Sequence, residues 1–120
     1  MKNIFFASLF LCFLSCKNNQ VSKEQLVSML RSDDIDSILS AIERIQNKRD
    51  TSMLIYLLDN ADDPRIIHKL KYKGMSVYQV RMTTIRFLTG IESNEAITYK
   101  PDSAIIKFYL SLLDKAPHSQ

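Results

Sequence analysis

Ile35, Ile38, Leu39, Ile42 and Ile45 recur every three or four residues, a spacing that sets all five on one face of an α-helix. The same rhythm returns in Leu26, Met29 and Leu30, in Met53, Leu54, Leu57 and Leu58, in Val77, Val80, Thr84, Phe87, Leu88 and Ile91, and in Ile105, Ile106, Tyr109, Leu110 and Leu113. Each such helix is too short to persist alone in water, and each carries one apolar stripe that must be buried against another element. The pattern predicts an all-α domain, a short stack of about five helices. Only two glycines interrupt the chain, at positions 74 and 90, which argues against an enzyme fold organised by glycine-rich loops.

Local signals set the expected boundaries. Ser22-x-x-Gln25 and Ser76-x-x-Gln79 fit capping boxes, in which a serine hydroxyl and a glutamine side chain each satisfy a free backbone N–H. Ser32-Asp33-Asp34 supplies a turn and a cap for the second helix, and Asp50 or Thr51 a cap for the third, over 51–59. Gly90 stands where a terminating residue is wanted, and Pro101 suits the first position of the last helix. The domain is expected over 22–116, after a polar tether at 16–21 and before a tail at 117–120.

One stretch breaks the rhythm. About 16 residues separate Asp59 from Ser76, longer than connections in compact domains usually run. Asp63-Pro64 stops a helix, since the residue before proline is pushed out of helical geometry. Lys69-Leu70-Lys71-Tyr72-Lys73 alternates strictly, which predicts an extended arm of a small hairpin within 60–75. That reading sends three lysines one way and Leu70 with Tyr72 the other.

Charge follows the same division. Eight acidic residues lie between Ser32 and Asp63, whereas Arg65, Lys69, Lys71, Lys73, Arg81 and Arg86 are followed by no acid before Ile91. The net charge of the whole chain is only +3, too small to imply a nucleic-acid partner. The basic segment either docks a partner or folds back on the acidic half of its own chain. As a contact surface it would comprise Arg65, Lys69, Lys71, Tyr72, Lys73 and Arg81.

The amino terminus has a separate meaning. Lys2 is followed by an uncharged run from Ile4 to Leu14 and then Ser15-Cys16, the layout of a secretory signal. Its 11 residues fall short of the roughly 20 that cross a bilayer. Phe13-Leu14-Ser15-Cys16 resembles the lipobox of bacterial lipoproteins, although Phe13 and Leu14 stand where that family favours leucine and a small residue. The resemblance implies a signal peptide over 1–15, lipidation of Cys16 and a membrane-anchored protein of the bacterial envelope. Lys17 in place of the aspartate tied to inner-membrane retention points to the outer membrane, facing the periplasm. Cys12 is the weaker alternative, because Leu11 before it is not small. Both cysteines lie in this leader, so acylation of Cys16 would leave no thiol for a disulfide or a metal.

Val80-Arg81-Met82-Thr83-Thr84-Ile85-Arg86-Phe87-Leu88-Thr89-Gly90-Ile91 resembles the second helix of a HEAT-type repeat, and Asp34 to Ile45 a weaker copy with Ile38 and Leu39 for the Val-Arg pair. Helices over 23–31 and 51–59 would be the partners. The resemblance covers about 70 residues and implies stacked helical hairpins that offer a binding surface. The long connection at 60–75 departs from that family's short turns.

Nothing in the chain assembles a catalytic or cofactor set. His68 and His118 are the only histidines, and neither has a second ligand at metal-binding spacing. Asp33, Asp34 and Asp36 lack the glycine and terminal glutamate of a calcium loop. Asp62-Asp63 reads as a turn. The expected function is a non-catalytic envelope lipoprotein that binds another envelope protein through a helical surface, with no cofactor. The alternative is binding of an anionic envelope ligand, a phospholipid head group or cell-wall glycan, through the basic segment 65–86.

Overall fold

The computed structural model describes residues 20–115. The expected leader, Cys16 and the tail from 117 lie outside them. Among the described residues there are five α-helices and no strand, a short helical stack as the periodicity predicts.

Helix α1 (Lys23–Leu30) begins at the expected capping box. Gln25 N–H donates to Ser22 Oγ at 3.2 Å, and Ser22 N–H donates to Gln25 Oε1 at 2.9 Å. After a four-residue turn the chain folds back as α2 (Ile35–Lys48), whose buried residues Ile38, Leu39, Ala41, Ile42 and Ile45 follow the sequence stripe. Arg49 ends α2 in the left-handed region, φ 49°. The third expected helix divides. Thr51–Met53 is a single 3-10 turn capped by Asp50, and only Leu54–Leu58, α3, is α-helical.

Helix α4 (Val77–Thr89) starts where Ser76 Oγ accepts from Gln79 N–H and ends at Gly90, φ 69°. The positive φ explains the glycine, since other residues are strained there. Helix α5 (Ser103–Lys115) opens two residues later than expected: Asp102 caps it, accepting from Ala104 N–H at 2.9 Å, and Pro101 precedes the cap. Helix α1 packs on α2, α3 on α4 and α5, and α4 also on α2. The two helix pairs expected from the sequence are thus present, closed by α5.

Helix α4 sits at the centre and is covered on more than one side. Val77, Tyr78, Val80, Arg81, Met82, Thr84 and Ile85 are all buried. Three residues of the expected stripe are not: Leu88 is only partly buried, Phe87 is 52% exposed and Ile91 43%. All three lie at or just past the end of α4, and the Arg49 guanidinium stacks over the Phe87 ring at 5.3 Å.

Candidate functional site: the insertion and its cations

The chain between α3 and α4 doubles back as a short hairpin. Ile67 N–H donates to Met75 O at 2.8 Å, Val77 N–H to Arg65 O at 2.9 Å and Gly74 N–H to Ile67 O at 3.1 Å. The pairing amounts to one antiparallel bridge, between Ile66 and Ser76. Extended backbone therefore lies at the base of the insertion, and Lys69 to Lys73 differs from the expected arm. Leu70–Tyr72 is a 3-10 turn. With three residues per turn, side chains two apart point about 120° away from each other, whereas on a strand they would share a face. Hence Tyr72 is 8% exposed and Leu70 92%. The alternation placed them together; the turn needed to reverse the chain separates them.

The insertion lies along α2. Ile67 is buried to 1% exposure, and Tyr72 OH donates to Glu43 Oε1 at 3.1 Å. Burial and then the adjoining Glu43 carboxylate push the Tyr72 phenol above its ordinary pKa. Lys69 pairs with Asp36 at 3.1 Å and Lys71 with Glu43 at 3.5 Å. Asp36 and Glu43 are seven residues apart, two helical turns, so both face the insertion. All four of these charged side chains are 42–67% exposed, and such pairs contribute little, about 0–1 kcal/mol each. Lys73 is exposed and has no ion pair among the described residues.

Arg65 closes the base. It donates to both oxygens of Asp63, with Nη2 to Oδ2 at 2.7 Å, and through Nη1 to Asp33 O. The hydrogen bonds from the Arg65 side chain hold the Asp63 carboxyl below the usual aspartate range, against the opposing effect of its partial burial.

Arg81 corrects the sequence reading. It was grouped with the surface cations, yet it is 2% exposed. Its Nη1 donates to the carbonyls of Leu57 at 3.1 Å, Asp59 at 3.2 Å and Tyr56 at 3.3 Å, and its Nη2 to Leu30 O at 2.6 Å. These carbonyls belong to the ends of α1 and α3, which lack partners within their own helices and carry partial negative charge. Burial lowers the guanidinium pKa, and Asp63 and Asp59 oppose that shift. Arg81 is thus a bolt between two helix ends, with its side chain turned inward. The α1–α3 ends, Arg65 and Arg81 line a polar recess of about 350 Å³, with Asp33, Asp62 and Asp63 on its walls.

Of the six expected contact residues, then, Arg65, Lys69, Lys71 and Lys73 gather on the outside of the insertion, while Tyr72 and Arg81 face inward. What the sequence reading missed is the crest residue, Leu70, and the acceptors Asp36 and Glu43. The acids were legible as an acidic half; their helical register two turns apart was the available signal. Among the described residues no group of His, Cys, Asp and Glu could hold a metal ion, and no helix is long and apolar enough to cross a membrane. No family model, curated protein or solved structure matches the chain.

Proposed function

We propose that the protein is an exported, lipid-anchored envelope component whose helical stack serves as a non-catalytic protein-binding module. The observation that carries the binding part is apolar surface left open between helices: Ile55 is 51% and Leu110 37% exposed. With Tyr56 and Leu58 they line an open groove of about 420 Å³ between α3 and α5. Exposed apolar surface rimmed by polar residues, here Arg31 and Asp59, is a common mark of protein contact. Anchoring rests on the leader: acyl chains on Cys16 would each bury methylenes at about 0.8 kcal/mol apiece, and more than one chain makes attachment stable.

The anionic-ligand reading is weakened by geometry. Arg65, Lys69 and Lys71 each already face a carboxylate of the same chain, so their charge is largely answered before any ligand arrives.

Two measurements test the proposal. Metabolic labelling with a fatty-acid analogue should tag the wild type and not Cys16→Ala; equal labelling of both would remove the anchor. Crosslinking in intact cells followed by mass spectrometry should return a reproducible protein partner. Retention on envelope lipid or glycan with no such partner would favour the alternative.

A further inference from the structure

The crest of the insertion is built to present one apolar side chain. Leu70 is 92% exposed, more than any other large hydrophobic residue described. It is not on a loose loop. Ile67 and Tyr72 on either side are buried, and the turn is closed by Tyr72 N–H to Lys69 O at 3.0 Å and Met75 N–H to Tyr72 O at 2.9 Å. Lys69 and Lys71, the immediate neighbours of Leu70, face Asp36 and Glu43 on α2. The backbone that carries Leu70 is thereby set before binding, so less ordering is left to oppose association.

We propose that Leu70 is the anchor by which this module docks on its protein partner, entering a leucine-sized apolar pocket whose rim carries a carboxylate opposite Lys73. This deepens the protein-binding reading above and rests on it. The choice of occupant follows from charge and shape. Asp36 and Glu43 lie 3.1 Å and 3.5 Å from Lys69 and Lys71 and would be carried to any surface the crest meets. An anionic bilayer would meet these carboxylates as well as the lysines, which removes most of the electrostatic gain that basic segments obtain there. A single projecting side chain also suits a pocket better than a flat bilayer face, since hot spots concentrate in filled, desolvated pockets. Lys73, exposed and unpaired among the described residues, is the cation left to choose the rim.

The test uses the full chain in its own cells, with a photo-crosslinking residue at position 68. His68 is exposed, two residues from Leu70 and in none of the ion pairs. The expected result is one discrete protein adduct that falls about tenfold with Leu70→Ser and with Lys73→Glu. Both variants should keep the wild-type melting temperature, because neither side chain is packed. Reversing an acidic residue on the partner beside the crosslinked peptide should restore the adduct of Lys73→Glu. The inference is overturned by adducts only to lipid, by adducts only to a second copy of this chain, by a protein adduct indifferent to both substitutions, or by none at position 68. If a crosslinker at position 55, in the α3–α5 groove, gives a discrete protein adduct while position 68 gives none, the crest is wrong and the binding module stands. If neither position gives a protein adduct, both readings fall.

Discussion

Arg81 and Lys71 lie ten residues apart, carry the same charge and come from the same basic segment, yet the fold uses them in opposite ways. Lys71 meets Glu43 at 3.5 Å with both side chains largely in water. Arg81 is enclosed, and its Nη1 and Nη2 donate to four carbonyls at two helix ends. The lesson is that sequence charge says little about energetic weight. An exposed pair exchanges water for a partner of similar quality, whereas a buried guanidinium and the carbonyls around it have no water to return to.

The sharpest way to break that contrast is Arg81→Ala. It leaves buried carbonyls unsatisfied at about 1–3 kcal/mol each, so a loss on the order of 3–5 kcal/mol is expected. In a domain of this size that lowers the melting temperature by tens of degrees, at roughly 4–8 °C per kcal/mol. A fall of only a few degrees would mean that the bolt is dispensable. Arg81→Lys should recover only a small part, since one ammonium cannot span carbonyls on both α1 and α3 as the guanidinium fork does.

Next in size is the Asp63–Arg65 pair, read through pH. The Asp63 pKa is lower in the folded protein than its ordinary value of 3.8. Its contribution is therefore fully present above that value and lost as pH falls from there through the folded pKa. Denaturant unfolding should show wild type more stable than Asp63→Asn at pH 6, with the gap closing towards pH 2. A gap independent of pH would mean that the carboxylate charge is not what holds the insertion's base.

The smallest effect should come from the crest. Lys69→Glu with Lys71→Glu places like charges against Asp36 and Glu43, and a cost of about 1 kcal/mol in total is expected. The cost should shrink in 1 M salt, where the screening length drops to about 3 Å. A loss comparable to that of Arg81→Ala would erase the distinction between crest and interior.

Much of the fold was legible because it is encoded locally. Ser22 and Gln25 satisfy each other's backbone within one turn, Gly90 ends α4 by its own permitted φ, and the α2 stripe needs only helical period to be recognised. The α1–α2 and α3–α4 pairs follow, since short connections leave few places for such stripes to pack. The candidate site was legible only in part. Its cations could be named, but the alternation of Lys69 to Lys73 describes a strand, and nothing within it signals that the chain must reverse between Ile67 and Gly74. Leu70 then moves from an expected inner face to the crest.

The sequence by itself determined that this chain is helical, how many stripes it must bury and where α1, α2 and α4 begin, because caps and periodicity act over three or four residues. Only the tertiary structure decided which charges are interior. Arg81 sits in the same register as buried Val77 and Tyr78, and nothing in its neighbourhood marks it as different from Arg86. It became a bolt because α4 packs on α3 and α1 meets α3, which brings two sets of unpaired carbonyls, from residues 22 to 51 positions away, to a point one guanidinium can span. That convergence belongs to no segment of the sequence alone.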